Sequence, residues 1–316
     1  MSYSVLDRLL DEDLEADPVT GRGLSNHRPM ALIALSSLGA DDAHLASFAA
    51  SYGSRLVPRR AEIAESISEL TLAIERDGVV AVLDRVLPQV ALGTGGAAFH
   101  GLIRLGYGLE HGRASDVAGG LAYLLDVSQP VLRSPRASGG LRDLSGLLIG
   151  LGDDPRLRER RFVSSGFSAR FAEVAADPHF LEHLARLDGD TVSLASTASA
   201  ALALYRSTGD FFALHTVTST HAARLVAQHV SDDSLVRALT EGHAAAMAVA
   251  YVVIGAPPVT SRPASDAPPW IEIVAATLHS TDEHVLKMVH TCREEQAAWG
   301  GLDYQATAAE VCGLVR

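Results

Sequence analysis

Wherever the apolar residues of this chain recur regularly, their spacing is helical. Ile63, Ile67, Leu70 and Ile74 follow at intervals of four, three and four, laying one apolar stripe on a helix whose other side carries Glu62, Glu65, Glu69 and Glu75. Such a helix packs onto a core from outside. Pro29 opens a second apolar stretch, Met30 to Leu38, which stops at Gly39, with proline just inside the start and glycine just past the end. Val79 to Leu87 and Ala114 to Leu125 read as further helices, the first ended by Pro88. The segment Ser134 to Asp154, rich in glycine and charge, reads as a loop-broken connection and a candidate flap over a site. Ala256 to Pro269 contains Pro257, Pro258, Pro263, Pro268 and Pro269, and no helix can cross it. There is no internal repeat of fixed period. The expectation is an all-α fold, a single bundle-like multi-helix domain over residues 1–316 with a long proline-rich loop.

Composition supports the helical reading and narrows the partners. The chain is 47% hydrophobic but only 5% aromatic, a balance that suits closely packed helices better than a sheet rich in aromatic and β-branched residues. A net charge of −12 offers no basic footprint, so neither nucleic acid nor an anionic membrane surface is expected as a partner. Cys292 and Cys312 are the only cysteines; they lack metal-finger spacing and form no disulfide framework, as in a thiol-reduced cytoplasmic protein. The acidic stretch Asp7 to Asp17 is the opposite of a secretory leader, and the longest apolar run, Ala244 to Ile254, is too short to span a bilayer. Oligomeric state is left open.

Two familiar patterns fail on context. Gly93-Thr94-Gly95-Gly96-Ala97-Ala98 formally matches the glycine fingerprint of dinucleotide-binding folds, but that fingerprint needs a buried strand before it and an acidic residue at the end of a second strand after it. Both flanks here read as helix, so the glycines are expected to let the chain turn closely into a helix that carries His100. A nucleophile elbow of the Gly-x-Ser-x-Gly kind is absent, and hydrolase chemistry is not signalled.

Histidine is the residue type that carries chemistry. His27, His100, His215 and His284 stand in helix-like contexts, and imidazoles converging from different helices are how helical folds build a transition-metal centre. At about 100° per residue, His284 and Lys287 share a helix face, as do His215 and Thr218. His221 lies six residues from His215, about 120° round the helix, and His290 is related to His284 in the same way, so neither is expected to share its neighbour's ion. His44, His111, His179, His183, His229 and His243 sit among charged, glycine or loop neighbours and read as surface residues. Lys287 has two readings. A charged ammonium repels a metal, which favours a snorkelling surface lysine at a helix end. A buried, neutral amine can instead take up carbon dioxide as a carbamate, an anionic oxygen ligand suited to iron.

The segments that hold these residues resemble the questin oxidase-like family. The resemblance is carried by Ser25-Asn26-His27-Arg28-Pro29-Met30-Ala31 followed by Leu38-Gly39-Ala40, by Ala98-Phe99-His100-Gly101-Leu102-Ile103-Arg104, by Asp210 through Ser219, and by Asp282-Glu283-His284-Val285-Leu286-Lys287. It runs nearly end to end, in a chain shorter than the fungal members. It implies a largely helical enzyme of the kind that oxidises anthraquinones and related polyketides, in secondary metabolism, by Baeyer–Villiger-like oxygen insertion or by non-haem iron dioxygenase chemistry. Carried over by motif, it puts His27, His100, His215, His284 and a carboxylated Lys287 on an Fe(II) ion, with Thr218 supporting the carbamate and O2 and a small aromatic molecule as substrates. Phe99, Tyr107, Phe211 and Phe212 are candidate walls for a flat substrate. Two alternatives stand beside this reading: a metal-free, NADPH-dependent Baeyer–Villiger-type monooxygenase, and a non-catalytic helical protein that binds a hydrophobic ligand.

Overall fold

The computed structural model describes residues 4–132, 140–141, 143–260 and 266–315, and within them the protein is all-α. Seventeen α-helices occur among the described residues: α1 (Val5–Leu14), α2 (Arg28–Ser37), α3 (Asp42–Tyr52), α4 (Ala61–Asp77), α5 (Val79–Val86), α6 (His100–His111), α7 (Ala114–Val127), α8 (Leu144–Asp153), α9 (Pro155–Arg158), α10 (Phe167–Ala175), α11 (Pro178–Leu184), α12 (Leu194–Thr208), α13 (Phe211–Gln228), α14 (Asp233–Val253), α15 (Trp270–Thr277), α16 (Glu283–Trp299) and α17 (Asp303–Val311). The described residues contain no strand, only the isolated bridges Ala16 to Pro58, Val19 to Ser25 and Leu141 to Leu187. No helix among them is long and apolar enough to cross a membrane.

The chain divides into two compact units, the first made of Met1–Arg76, Ile103–Tyr123 and Pro263–Arg316, the second of Asp77–Leu102 and Leu124–Arg262. In the first unit α2 is the central element: every residue from Arg28 to Leu35 is buried, and α1, α3 and α16 pack around it. A helix apolar on all sides has no solvent face to keep, so it must sit inside a bundle. Within this unit α6 and α7 meet backbone to backbone. A Cβ at Gly120 would lie 2.4 Å from the Leu105 Cα, and one at Gly108 would lie 2.6 Å from the Asp116 carbonyl oxygen. In the second unit α14 plays the central part, buried continuously from Leu239 to Val253 and packed by α8, α10 and α13.

The stripe on α4 holds at Ile63, Ile67 and Ile74, which are buried. The segment read as a loop-broken connection needs correction. Its residues 134–139 and 142 lie outside the described residues, but α8 occupies Leu144–Asp153. Asp143 caps this helix by accepting from the Gly146 N–H, and Leu144, Leu147, Leu148 and Leu151 recur at helical spacing with 2% exposure or less. Packing on α12 and α14 outweighs the poor helix propensity of its three glycines. In the proline-rich loop, residues 256–260 and 266–269 are non-helical, and 261–265, with Pro263, lie outside the described residues.

Gly120→Ala is expected to lower stability by about 1–3 kcal/mol, because the added methyl group meets backbone that cannot swing aside. Thermal denaturation of the variant checks this, and an unchanged melting temperature would mean that α6 and α7 separate at little cost.

Candidate metal centre

In the first unit the side chains of interest come from the ends of two packed helices. His27 is the N-cap residue of α2, whose entry is fixed by Pro29 in the first turn. Its backbone N–H donates to the Tyr52 hydroxyl at 2.9 Å. Asp282 caps α16, accepting from the His284 backbone N–H at 2.8 Å, and its carboxylate also lies 3.2 Å from His284 Nδ1. The hydrogen bonds from His284 hold the Asp282 carboxyl at about 2. The His27 and His284 rings meet edge to face with centroids 4.7 Å apart.

Lys287, one turn further along α16, has no exposed surface, which overturns the reading of it as a snorkelling surface residue. Its Nζ lies 3.3 Å from His27 Nδ1. Burial pulls the amine down to about 7, with Glu283 and Asp282 acting in the opposite direction. Near neutral pH a large share of this side chain is therefore an uncharged, nucleophilic amine. Glu283, within the motif but not singled out by sequence reasoning, brings Oε1 to 3.8 Å from His27 Nδ1 and to 3.1 Å from the guanidinium of Arg55. Asp282, Glu283 and His284 each offer one ligand atom, all within 4.8 Å of one another.

In the second unit His100 and His215 come together, with ring centroids 4.7 Å apart. Gly209, left-handed at φ 59°, ends α12, and Asp210 then caps α13 through the Phe212 and Ala213 N–H groups, so His215 enters in the first turns of a well-started helix. Its Nδ1 lies 2.7 Å from the Phe211 carbonyl oxygen, and His100 Nδ1 lies 2.5 Å from that of Ala97. A carbonyl only accepts, so both rings carry a proton on Nδ1. A backbone carbonyl or carboxylate on the other ring nitrogen is the arrangement that orients metal-binding histidines, and His284 shares it through Asp282. Thr218 is buried on α13 and donates to the His215 carbonyl oxygen at 3.3 Å.

His221 differs in chemistry as well as in direction. The Arg224 guanidinium lies 3.3 Å from its Nδ1, and because a guanidinium only donates, the lone pair faces Arg224 and the proton sits on Nε2. His290 lies in the first unit, its ring tilted at 36° to that of Tyr107 with centroids 5.4 Å apart, and its Nε2 is 2.7 Å from Glu110. His243 is a correction, since it is fully buried rather than at the surface. The glycine beside it is a packing device, as a Cβ at Gly242 would lie 2.4 Å from the Ala91 carbonyl oxygen. Burial lowers the His243 imidazole to about 3, and its Nε2 lies 3.0 Å from the Thr220 hydroxyl.

The glycine segment is filled by the protein's own chain. A Cβ at Gly93 would lie 2.1 Å from Ser128 Oγ, one at Gly95 2.4 Å from the Phe171 ring, and one at Gly96 1.7 Å from the Val127 carbonyl oxygen. No strand precedes it among the described residues, and the chain turns directly into α6 at His100. The turn itself is unusual: Ala97, Ala98 and Phe99 hold φ of 48°, 53° and 68°. Left-handed residues with a Cβ cost roughly 1–2 kcal/mol each.

Of the candidate substrate walls, Phe99 and Tyr107 are buried, whereas Phe211 is 52% exposed and Phe212 partly so. Phe211 packs against His215 at 4.8 Å, and Phe167, which sequence reasoning passed over, stacks on Phe212 at 4.6 Å and 28°. Nothing in the sequence near Phe167 signals that partnership, because α10 and α13 are far apart along the chain.

No curated protein matches the chain. The profile of the questin oxidase-like family matches residues 71–292, which include His100, His215, Thr218, His284 and Lys287 and leave out His27. That span is well over half of the sequence, and the chain belongs to the questin oxidase-like family.

Proposed function

We propose that this protein is a cytoplasmic, oxygen-dependent oxidoreductase that oxidises or ring-opens an aromatic, anthraquinone-like substrate at a mononuclear non-haem iron. The ligands are His27, His100, His215, His284 and a carboxylated Lys287. Family membership supports the coarse class, an oxidase. The observation that carries the metal reading is Lys287, a lysine without exposed surface whose Nζ stands 3.3 Å from His27 Nδ1. A buried ammonium is costly because burial strips its charge of water, whereas a carbamate in the same place is an anionic partner for a cation held by imidazoles. The donor set fits, because Nδ1 of His100, His215 and His284 each lies against an oxygen acceptor, the arrangement that would make Nε2 the ligating atom. Iron would supply the one-electron chemistry that lets triplet dioxygen react with an electron-rich ring. The protein's share is to orient the ring and keep water out, and Phe211, Phe212 and Phe167 beside His215 are the side chains suited to stack on it.

The NADPH alternative draws no support from the glycine segment, whose glycines serve close packing against Ser128, Phe171 and the Val127 carbonyl and follow no strand among the described residues.

Elemental analysis of untagged protein from iron-replete cells is expected to find about one iron per chain; metal-free protein would refute the proposal. His27→Ala, His100→Ala, His215→Ala and His284→Ala should each lose iron, about 10-fold or more in affinity, while His221→Ala, whose lone pair faces Arg224, should keep most of it. An iron-free His221→Ala beside a fully loaded His284→Ala would reverse this assignment.

Lys287→Ala should bind iron weakly and fail to consume O2 with substrate, whereas Lys287→Glu should recover part of the binding through its carboxylate. Thr218→Val should act more mildly and make activity depend on added bicarbonate, since a hydrogen bond to a charged group is worth roughly 1.5–3 kcal/mol. A diffraction map showing bare, unmodified Lys287 in iron-loaded crystals would end the carbamate assignment.

Burial of Lys287 also predicts a stability change in metal-free protein. Its folded-state value near 7 lies below the unfolded one near 10.5, so the unfolded chain holds the extra proton between these values. The lysine therefore opposes folding most at and below pH 7, and this opposition fades as pH rises towards 10.5. Lys287→Met should melt several degrees higher at pH 7, with the gain shrinking at pH 10; a gain independent of pH would contradict the depressed value.

A further inference from the structure

The left-handed run at Ala97–Phe99 falls on the wrong residues for a simple turn. Gly95 and Gly96 stand immediately before it and could take positive φ without strain, yet neither does. Their lack of a Cβ is used instead for close packing against Phe171 and the Val127 carbonyl. The strained conformation is thus borne by two alanines and a phenylalanine. It is held in place from outside: Phe99 has no exposed surface, its ring meeting His243 edge to face at 5.6 Å and Phe167 at 6.5 Å. Strain that neighbouring packing over-determines is a mark of a functional segment.

What the turn delivers is a carbonyl. His215 lies inside a regular helix, so the carbonyl four residues back is there to take its Nδ1–H. His100 is the first residue of α6, and behind it stands not α-helix but the short turn Gly96–Phe99 with its left-handed backbone. With residues 97–99 left-handed, the Ala97 carbonyl accepts both the His100 backbone N–H and, at 2.5 Å, its Nδ1–H.

We propose that the left-handed turn Ala97–Phe99 is a positioning element for His100, supplying the acceptor that fixes the ring's orientation and its Nδ1–H tautomer before a metal arrives. The purpose rests on the reading of His100 as an iron ligand; the fixed tautomer does not. The positioning residues are Ala97, through its carbonyl, and Ala98 and Phe99, through their backbone conformation. No member of this turn touches substrate in the proposal.

The test is the double variant Ala97→Gly/Ala98→Gly, read in two ways. Glycine removes the strain but widens the backbone's choices, so the variant should melt no lower than the wild type while its His100 loses definition. Nitrogen-15 NMR of metal-free protein with labelled histidine, the His100 signals assigned by their loss in His100→Gln, should show a single Nδ1–H form in the wild type and a mixture in the variant. Co2+ titration should show binding about 10-fold weaker in the variant despite its undiminished melting temperature. A turn that merely reverses the chain would leave both the tautomer and the Co2+ affinity unchanged, and that result overturns the proposal. Should the variant fold poorly, the wild type alone decides, since an Nε2–H form of His100 in metal-free protein overturns it too. If the wild type shows the fixed tautomer but binds neither Co2+ nor iron, the iron reading fails and the positioning of His100 stands.

Discussion

Burial of Lys287 is the constraint around which the first unit is arranged. A lysine whose amine is removed from water must give up its proton, find an anion, or become one. The carboxylates of Asp282 and Glu283 favour the charged form, but burial outweighs them and brings the amine near 7. Packing of α2 on α16 then sets His27 beside Nζ. The same contact brings the His27 and His284 rings together, so one helix pairing sets three of the groups assigned to the metal.

Ring tautomers sort the histidines more finely than burial does. His100, His215, His221 and His290 are all buried, but oxygen acceptors hold the proton of His100 and His215 on Nδ1, whereas Arg224 claims the Nδ1 lone pair of His221. A ligand needs a lone pair pointing at the ion, and its outer nitrogen decides whether it has one. The Nδ1 acceptors of His100, His215 and His284 lie within four residues along the chain, so those rings are oriented by their own helix starts.

Glycine recurs here as a spacer rather than a hinge. At Gly108 and Gly120 it lets α6 and α7 approach to backbone contact, and at Gly95 and Gly96 it lets the segment before His100 press against its neighbours. Those contacts leave the conformational burden of the turn to Ala97, Ala98 and Phe99.

The all-α class and the positions of several helices could be read from the sequence, because apolar spacing, proline and glycine act within a few residues of where they stand. The stripe at Ile63, Ile67 and Ile74, the start of α2 at Pro29 and the cap at Asp282 are local features of this kind. So was the family, since His100, His215 and the run ending in Lys287 keep their motifs, and so was the separation of His221 from His215 by angle. Tertiary structure alone decided which polar residues are buried and what they face. Lys287 and His243 read as surface residues by their neighbours in sequence, yet both are enclosed by helices distant in the chain. The helix α8 was hidden by its glycines, because the packing that stabilises it comes from α12 and α14. The left-handed turn before His100 left no trace in a pair of alanines and a phenylalanine, since the contacts that hold such strain come from residues tens of positions away.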